Sequence, residues 1–385
     1  MHSGHLMIQR HILLTGATGY IGGSVLTRLI SHPLSDTFRI TALVRAPEKA
    51  TQFRKMGIQA VVGSHSDHDL LTKLASESDI VVACADADDL EAAKAILRGL
   101  KARHGKTGGV PSLIHTSGTG VLIDDARGMY ASDTIYSDLD IATLASIPRT
   151  QPHREVDLAV IDADNEGYVK TYIILPSTIY GRATGPLVDA GLQNPRSQQI
   201  PQLVDAALAR GRAGVLGKGA NIWSNVHIAD LASLYILLVD YMLPDDGLPE
   251  VHRETEGPSP PRNTRSRSGT PTRALSRPRT PVVADTSYFK HGSEGYYFAE
   301  GGEHNWLSVS DAIGRAMVDL GKATEPTPTA FTDDEKHRFF NNNAKFLDSN
   351  SRCRADRARR LGWKPKKTTK DLLASVKQEV KGGHI

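Results

Sequence analysis

Gly16, Gly19 and Gly22 stand three residues apart in Thr15-Gly16-Ala17-Thr18-Gly19-Tyr20-Ile21-Gly22-Gly23, directly after the apolar run Ile12-Leu13-Leu14. That pattern suits phosphate chemistry. The first glycine permits a tight turn, the second lets backbone approach a pyrophosphate, and the third lets the next helix pack close to the strand. A helix opening there offers unpaired N–H groups and the positive end of its dipole to an anion. Thr15, Gly16, Thr18, Gly19, Tyr20, Ile21 and Gly22 are therefore candidate dinucleotide contacts. A glycine-rich loop without a ligand is the alternative, and the flanking strand and helix weigh against it.

A second strand would end at Leu43-Val44-Arg45, with no carboxylate until Glu48. An acidic residue there accepts from the ribose 2′-hydroxyl of NAD, whereas an arginine grips the 2′-phosphate of NADP. Arg45 thus favours NADP(H), with NAD(H) as the alternative. Asp67 has two readings, a loop residue near the adenine or the N-cap of a helix through Asp69-Leu70-Leu71. Ala83 and Cys84, where a fourth strand ends, are expected beside the same cofactor.

These residues need a scaffold. From Ile12 to about Ile200, apolar strands alternate with amphipathic helices, the sign of a parallel sheet. Strands are predicted at 12–14, 38–44, 59–62, 79–83, 113–115 and 171–175, with helices over 21–30 and 90–100. The expected fold is α/β, a Rossmann-type doubly wound parallel sheet spanning 8–181 plus about 222–243. A smaller C-terminal α+β substrate-side domain takes 182–221 and 295–385, with structure resuming at Tyr296-Tyr297-Phe298. Helices are predicted around Ser310–Leu320, near Arg352–Leu361 and over 369–380.

Residues 251–290 are rich in Pro, Ser, Thr and Arg, and nearly lack large apolar side chains. Such a segment cannot bury enough surface to offset its ordering entropy, so a disordered insertion is expected. It holds seven Arg and one Lys against two Glu and one Asp, a balance of +5. The whole chain carries +3, which leaves about −2 elsewhere, so the basic charge is local. No aromatic residues interleave with those arginines for base stacking, which argues against nucleic acid. Arg262 to Ser268, followed by Thr270-Pro271 and Thr280-Pro281, reads either as kinase target sequence or as plain linker. The two cysteines, Cys84 and Cys353, make no disulfide framework. His2, His5, His65, His68 and His304 show no metal-ligand spacing. With neither a signal peptide nor an apolar run long enough to span a membrane, a cytoplasmic protein is expected.

Taken in order, these residues resemble the extended short-chain dehydrogenase/reductase superfamily, closest to its fungal NAD-dependent epimerase/dehydratase-like or NmrA-like branch. The matching pieces are Thr15–Gly22, Leu43–Arg45, His115-Thr116-Ser117-Gly118, Leu175–Gly181, Val226–Asp230 and Leu361–Pro365. The resemblance implies that Ser117, or its neighbour Thr116, holds a substrate carbonyl, and that Pro176 and Ser177 lie beside the nicotinamide. It also implies that His227 and Asp230 begin a helix, with Asp230 as its N-terminal cap.

One departure bears on activity. The family carries Tyr-x-x-x-Lys on the helix before the sixth strand, the tyrosine handling the proton. No tyrosine of this chain has a lysine four residues on. Alignment by Ala163-Asp164 puts Val156 and Val160 in those places, which makes that helix face apolar. Tyr136 is the first substitute considered, as a loop tyrosine able to swing onto the nicotinamide; Tyr130, His153, Arg154 and Lys170 are others. Three readings follow. The first is an NADP(H)-dependent oxidoreductase acting on a small carbonyl or aldehyde. The second is a catalytically reduced redox-sensing regulator, and the third a nucleotide-sugar epimerase or dehydratase. A homodimer is left open.

Overall fold

The computed structural model describes residues 9–243, 284–341 and 344–383. Most of the insertion expected at 251–290, and both Thr-Pro sites within it, lie outside the described residues.

Seven parallel strands form the main sheet. They are β1 (Arg10–Thr15), β2 (Phe38–Val44), β3 (Gln59–Val62), β4 (Ile80–Ala83), β5 (Ser112–Thr116), β6 (Lys170–Pro176) and β7 (Tyr296–Ala299). Their spatial order is β7-β6-β5-β4-β1-β2-β3. Runs such as Ile12-Leu13-Leu14 and Ile173-Ile174-Leu175 are fully buried, as a sheet covered on both faces requires. Each such side chain contributes about 1.5–3 kcal/mol on burial. The chain moves outward from β1 to β3, then returns to place β4 on the other side of β1. The strand order reverses between β1 and β4, and the C-terminal ends there form the crevice where open α/β sheets bind ligands.

β7 corrects the expected domain boundary. Tyr296–Ala299, assigned from sequence to the smaller part, pairs with Ile173–Pro176 as the edge strand of the main sheet. Residues 284–290 also depart from the expected disorder. Phe289 stacks on Tyr172 and Tyr241, with ring centroids 4.9 and 5.1 Å apart, so apolar contact orders the end of that segment.

Five helices matter for the site. α1 (Tyr20–Ile30) follows β1 and buries Val25, Leu26 and Leu29. α2 (Arg154–Asn165) precedes β6, and α3 (Ile228–Met242) packs against α1. α4 (Trp306–Asp319) and α5 (Thr369–Gly382) pack together with the helix Gln199–Arg210 around a second core that holds Trp223, Trp306, Ile313, Leu372 and Val376. His227, rather than Asp230, caps α3: its Nδ1 accepts from the Ala229 amide at 3.1 Å. Asp230 lies inside the first turn and accepts from the Lys367 amide at 2.9 Å. The Trp363 indole N–H donates to the Asp230 carbonyl at 3.0 Å, so the Leu361–Pro365 motif fastens the chain end to α3. Only Asp356–Arg360 of the helix expected near 352–361 forms, because Cys353–Arg354 pair as a short strand with Tyr136–Ser137.

Candidate active site

A cleft of about 430 Å³ runs along the C-terminal ends of β1, β4, β5 and β6. At one end lies the glycine turn. Gly16 has φ +72°, and a Cβ there would stand 2.6 Å from the Cys84 carbonyl oxygen. A Cβ on Gly22 would overlap the carbonyl of Gly16. Both positions therefore need glycine, one for its backbone angle and one for helix–strand approach. No side chain caps α1, and its first turn has no acidic residue. Gly19, Tyr20 and Ile21 line the cleft; the Gly19 amide closes the turn by donating to the Gly16 carbonyl at 2.8 Å, and the first-turn N–H groups that follow it carry a favourable dipole. This cradle suits a pyrophosphate, and it would hold one by backbone alone.

Of the other expected contacts, Cys84, Thr116, Ser117, Pro176 and Ser177 also line the cleft. Thr15 supports from behind, its Oγ1 accepting from the Cys84 amide at 3.2 Å. Ala83 faces a separate small cavity. Thr18 accepts at its carbonyl from the Asn194 amide at 2.9 Å, which fastens the 190–198 loop over the turn. Asp67 is a helix N-cap, its Oδ1 accepting from the Leu70 amide at 3.1 Å. Arg45 is exposed just beyond β2 and has no ion-pair partner among the described residues.

The other end of the cleft carries the polar groups suited to chemistry. Ser117 Oγ donates to Asp157 Oδ2 at 3.0 Å. Thr116 Oγ1 is taken up by the Tyr235 hydroxyl at 2.6 Å and the Cys84 sulfur at 3.3 Å, which leaves Ser117 the better placed of the two hydroxyls. Burial pushes the Cys84 thiol up to about 11, so it stays protonated. Burial likewise pushes the Asp157 carboxyl up to about 7, although the Ser117 hydrogen bond pulls the other way. His115, on β5 behind Ser117, falls to about 4 for the same reason. Its Nε2 lies 3.7 Å from Asp157 Oδ1. Burial favours the neutral form of each, so at neutral pH this approach is a polar contact and not an ion pair.

The helix face expected to be apolar is so, but it is not the face turned toward Ser117. Val156 and Val160 sit in the core, whereas the turn nearer Ser117 presents His153 and Asp157, themselves i and i+4. His153 is the residue before α2 and lines the cleft, with Asp88 as its partner. Tyr136 is a correction. It pairs with Cys353, its amide donates to the Arg352 carbonyl at 3.0 Å, and its ring packs on the core outside the cleft lining. Swinging the ring inward would take it off that core. Tyr130 lies exposed on the surface. Arg154 is buried, bonded to the Tyr296 hydroxyl and the Leu144 carbonyl. Lys170 begins β6, at the opposite end of the sheet from the cleft. Sequence reasoning missed Asp88 and Asp157 altogether, along with Arg196, Trp223 and Phe346 of the cleft wall; none lies in a local motif.

Comparison with known proteins agrees with this construction. A family model described as NAD(P)H-binding matches residues 16–140. The oxidase ucsJ of an Acremonium species is 30% identical over 366 residues, covering 92% of this chain and 93% of its own length. The chain belongs to the extended short-chain dehydrogenase/reductase family. A 4-hydroxy-2-methyl-3-oxo-4-farnesyl-3,4-dihydroquinoline-1-oxide ketoreductase of Stigmatella aurantiaca is 24% identical over 234 residues, or 59% of this chain and 64% of that one. The fold matches that of a dTDP-glucose 4,6-dehydratase of Streptomyces venezuelae, solved with NAD bound, at a TM-score of 0.55 and 16% identity over 97% of each chain. This short-chain dehydrogenase/reductase is thus an NAD(P)-binding protein. Among its described residues, no helix is long and apolar enough to cross a membrane.

Proposed function

We propose that the protein is an NADP(H)-dependent reductase of a small ketone or aldehyde. The carrying observation is the cleft itself, which joins the glycine cradle at one end to the Ser117 hydroxyl at the other. The cradle would hold the pyrophosphate, while Pro176 and Ser177 would flank the nicotinamide. Ser177 is fixed for that task by its hydrogen bond to the Ala299 carbonyl at 2.8 Å. A bound dihydronicotinamide supplies hydride. The chain's own part is to orient the carbonyl, exclude water and handle a proton. Ser117 can donate to a carbonyl oxygen when it turns from Asp157, and Asp157 is the acceptor that holds it between turnovers. The ketoreductase relative supports this reaction class.

The NADP preference rests on Arg45, exposed just past β2 and free of a competing carboxylate. Calorimetric titration with NADPH and with NADH tests it. NADPH should bind the more tightly. Arg45→Ala should weaken NADPH by about 10-fold or more, from a charge-assisted bond of about 1.5–3 kcal/mol, and leave NADH nearly unchanged. Equal binding of both cofactors by the wild type would refute the preference.

A further inference from the structure

The proton that must accompany hydride has no tyrosine to supply it. Tyr20 is the one tyrosine among the residues lining the cleft, and its hydroxyl is bonded to the Gly181 carbonyl. No lysine lines the cleft among the described residues. We propose that His153 is the proton-transferring residue of this enzyme, with Asp88 as the residue that orients it. The proposal rests on the reductase reading above and deepens it.

Four observations carry it. First, the imidazole lines the cleft at the end that holds Ser117. Its Nε2 lies 3.1 and 3.0 Å from where a Cβ would stand on Gly118 and Gly120, so these two glycines leave the ring its place on the cleft wall. Second, its two nitrogens are differentiated. Asp88 Oδ1 lies 2.8 Å from Nδ1 and also accepts the His153 amide at 2.9 Å. That fixes the tautomer with hydrogen on Nδ1 and leaves Nε2 toward the cleft. Third, the position is costly and held. His153 has φ +67°, a left-handed value that non-glycine residues rarely adopt, and its ring stacks on Phe346 with planes 3° apart. Fourth, one turn along α2 stands Asp157, bonded to Ser117. The pair His153 and Asp157 brings an ionisable ring and the Ser117 hydroxyl to one end of the cleft.

The step balances simply. With hydride delivered to the carbonyl carbon, the π electrons move to oxygen. That oxygen takes the proton from Nε2 of the His153 imidazolium, giving an alcohol and leaving a neutral imidazole. The ring is 15% exposed and lines the cleft, so Nε2 regains its proton from water that enters the cleft once the alcohol has left. Of the titratable groups near the ring, Asp88 after β4 bonds Nδ1 and His115 on β5 interacts with it electrostatically; Asp157 stands one turn along α2, and Lys345 lies over the Phe346 ring.

The test uses the full chain with NADPH and 4-nitrobenzaldehyde as the probe carbonyl. His153→Gln should lower kcat by about 10²-fold or more, the range for a lost general acid, with the NADPH dissociation constant within twofold of wild type. His153→Tyr should recover part of the rate and move the pH profile of kcat upward, which a merely structural histidine would not do. Independently of turnover, the imidazole Cε1–H resonance of His153 should shift when NADP⁺ is added. That shift should differ in Asp88→Ala, which removes the acceptor that holds Nδ1. A His153→Gln enzyme with wild-type kcat would overturn this inference while leaving the reductase reading intact, as would a resonance insensitive to both changes. A wild type that binds NADPH but reduces no probe would overturn the reductase reading, and this inference with it.

Discussion

Ser117 owes its place to the register of two strands. Thr116 pairs with Ile174 at the ends of β5 and β6, and the Ser117 amide continues the ladder by donating to the Ile174 carbonyl at 2.8 Å. The hydroxyl that follows is therefore fixed at the C-terminal end of the sheet, on the cleft. Removing one preorganised donor of this kind typically costs about 10²–10³ in kcat. Ser117→Ala should fall in that range with 4-nitrobenzaldehyde, and NADPH binding should change little because the cradle is backbone at the other end. An unchanged kcat would remove Ser117 from the chemistry. At this scale the sequence was legible where chemistry is local. The glycines at 16, 19 and 22 announce their turn by spacing alone. Asp88 and His153 do not, since they lie 65 residues apart and only the fold brings them together. Tyr136 misled because a loop tyrosine near Ser117 in sequence is held against Cys353 in space.

At the scale of elements, α2 decides how the site titrates. Its sequence was readable as a helix, but anchoring its phase on Ala163-Asp164 selects Val156 and Val160. A helix turns about 100° per residue. Val156 therefore faces the core, whereas Asp157, one residue on, faces the Ser117 hydroxyl. The buried Asp157 has a consequence for stability. Burial pushes its carboxyl up from the ordinary 3.8 to about 7. Stability from this group is thus fully present below about pH 4 and is lost as pH rises through about 7. Asp138, buried between the Phe298 and Arg357 amides and also raised to about 7, adds the same trend. Asp157→Asn keeps an acceptor for Ser117 and removes one titration. Urea unfolding at pH 5 and pH 8 should show the wild type losing more stability between those values than the variant. Equal losses would mean that Asp157 is ionised in the folded protein throughout.

The whole molecule works as two cores with a cleft between their contributions. The sheet core supplies the cradle, Ser117 and His153, and the second core supplies Trp223 to the cleft wall, with Phe346 packed against it. The doubly wound sheet was legible because its central strands carry apolar runs such as Ile12-Leu13-Leu14, Ile80-Val81-Val82 and Ile173-Ile174-Leu175. The edge strand β7 was not, because Tyr296-Tyr297-Phe298 follows the long Pro/Arg-rich segment and gives no local sign of which sheet it joins. The central claim is that this cleft moves hydride from a nicotinamide to a carbonyl. The most direct test is to incubate the wild type with 4-nitrobenzaldehyde and, in separate reactions, the two 4-deuterated epimers of NADPH, then weigh the alcohol formed. The account predicts one deuterium per alcohol molecule from one epimer and none from the other. An enzyme that binds NADPH yet forms no deuterated alcohol from either epimer would contradict it.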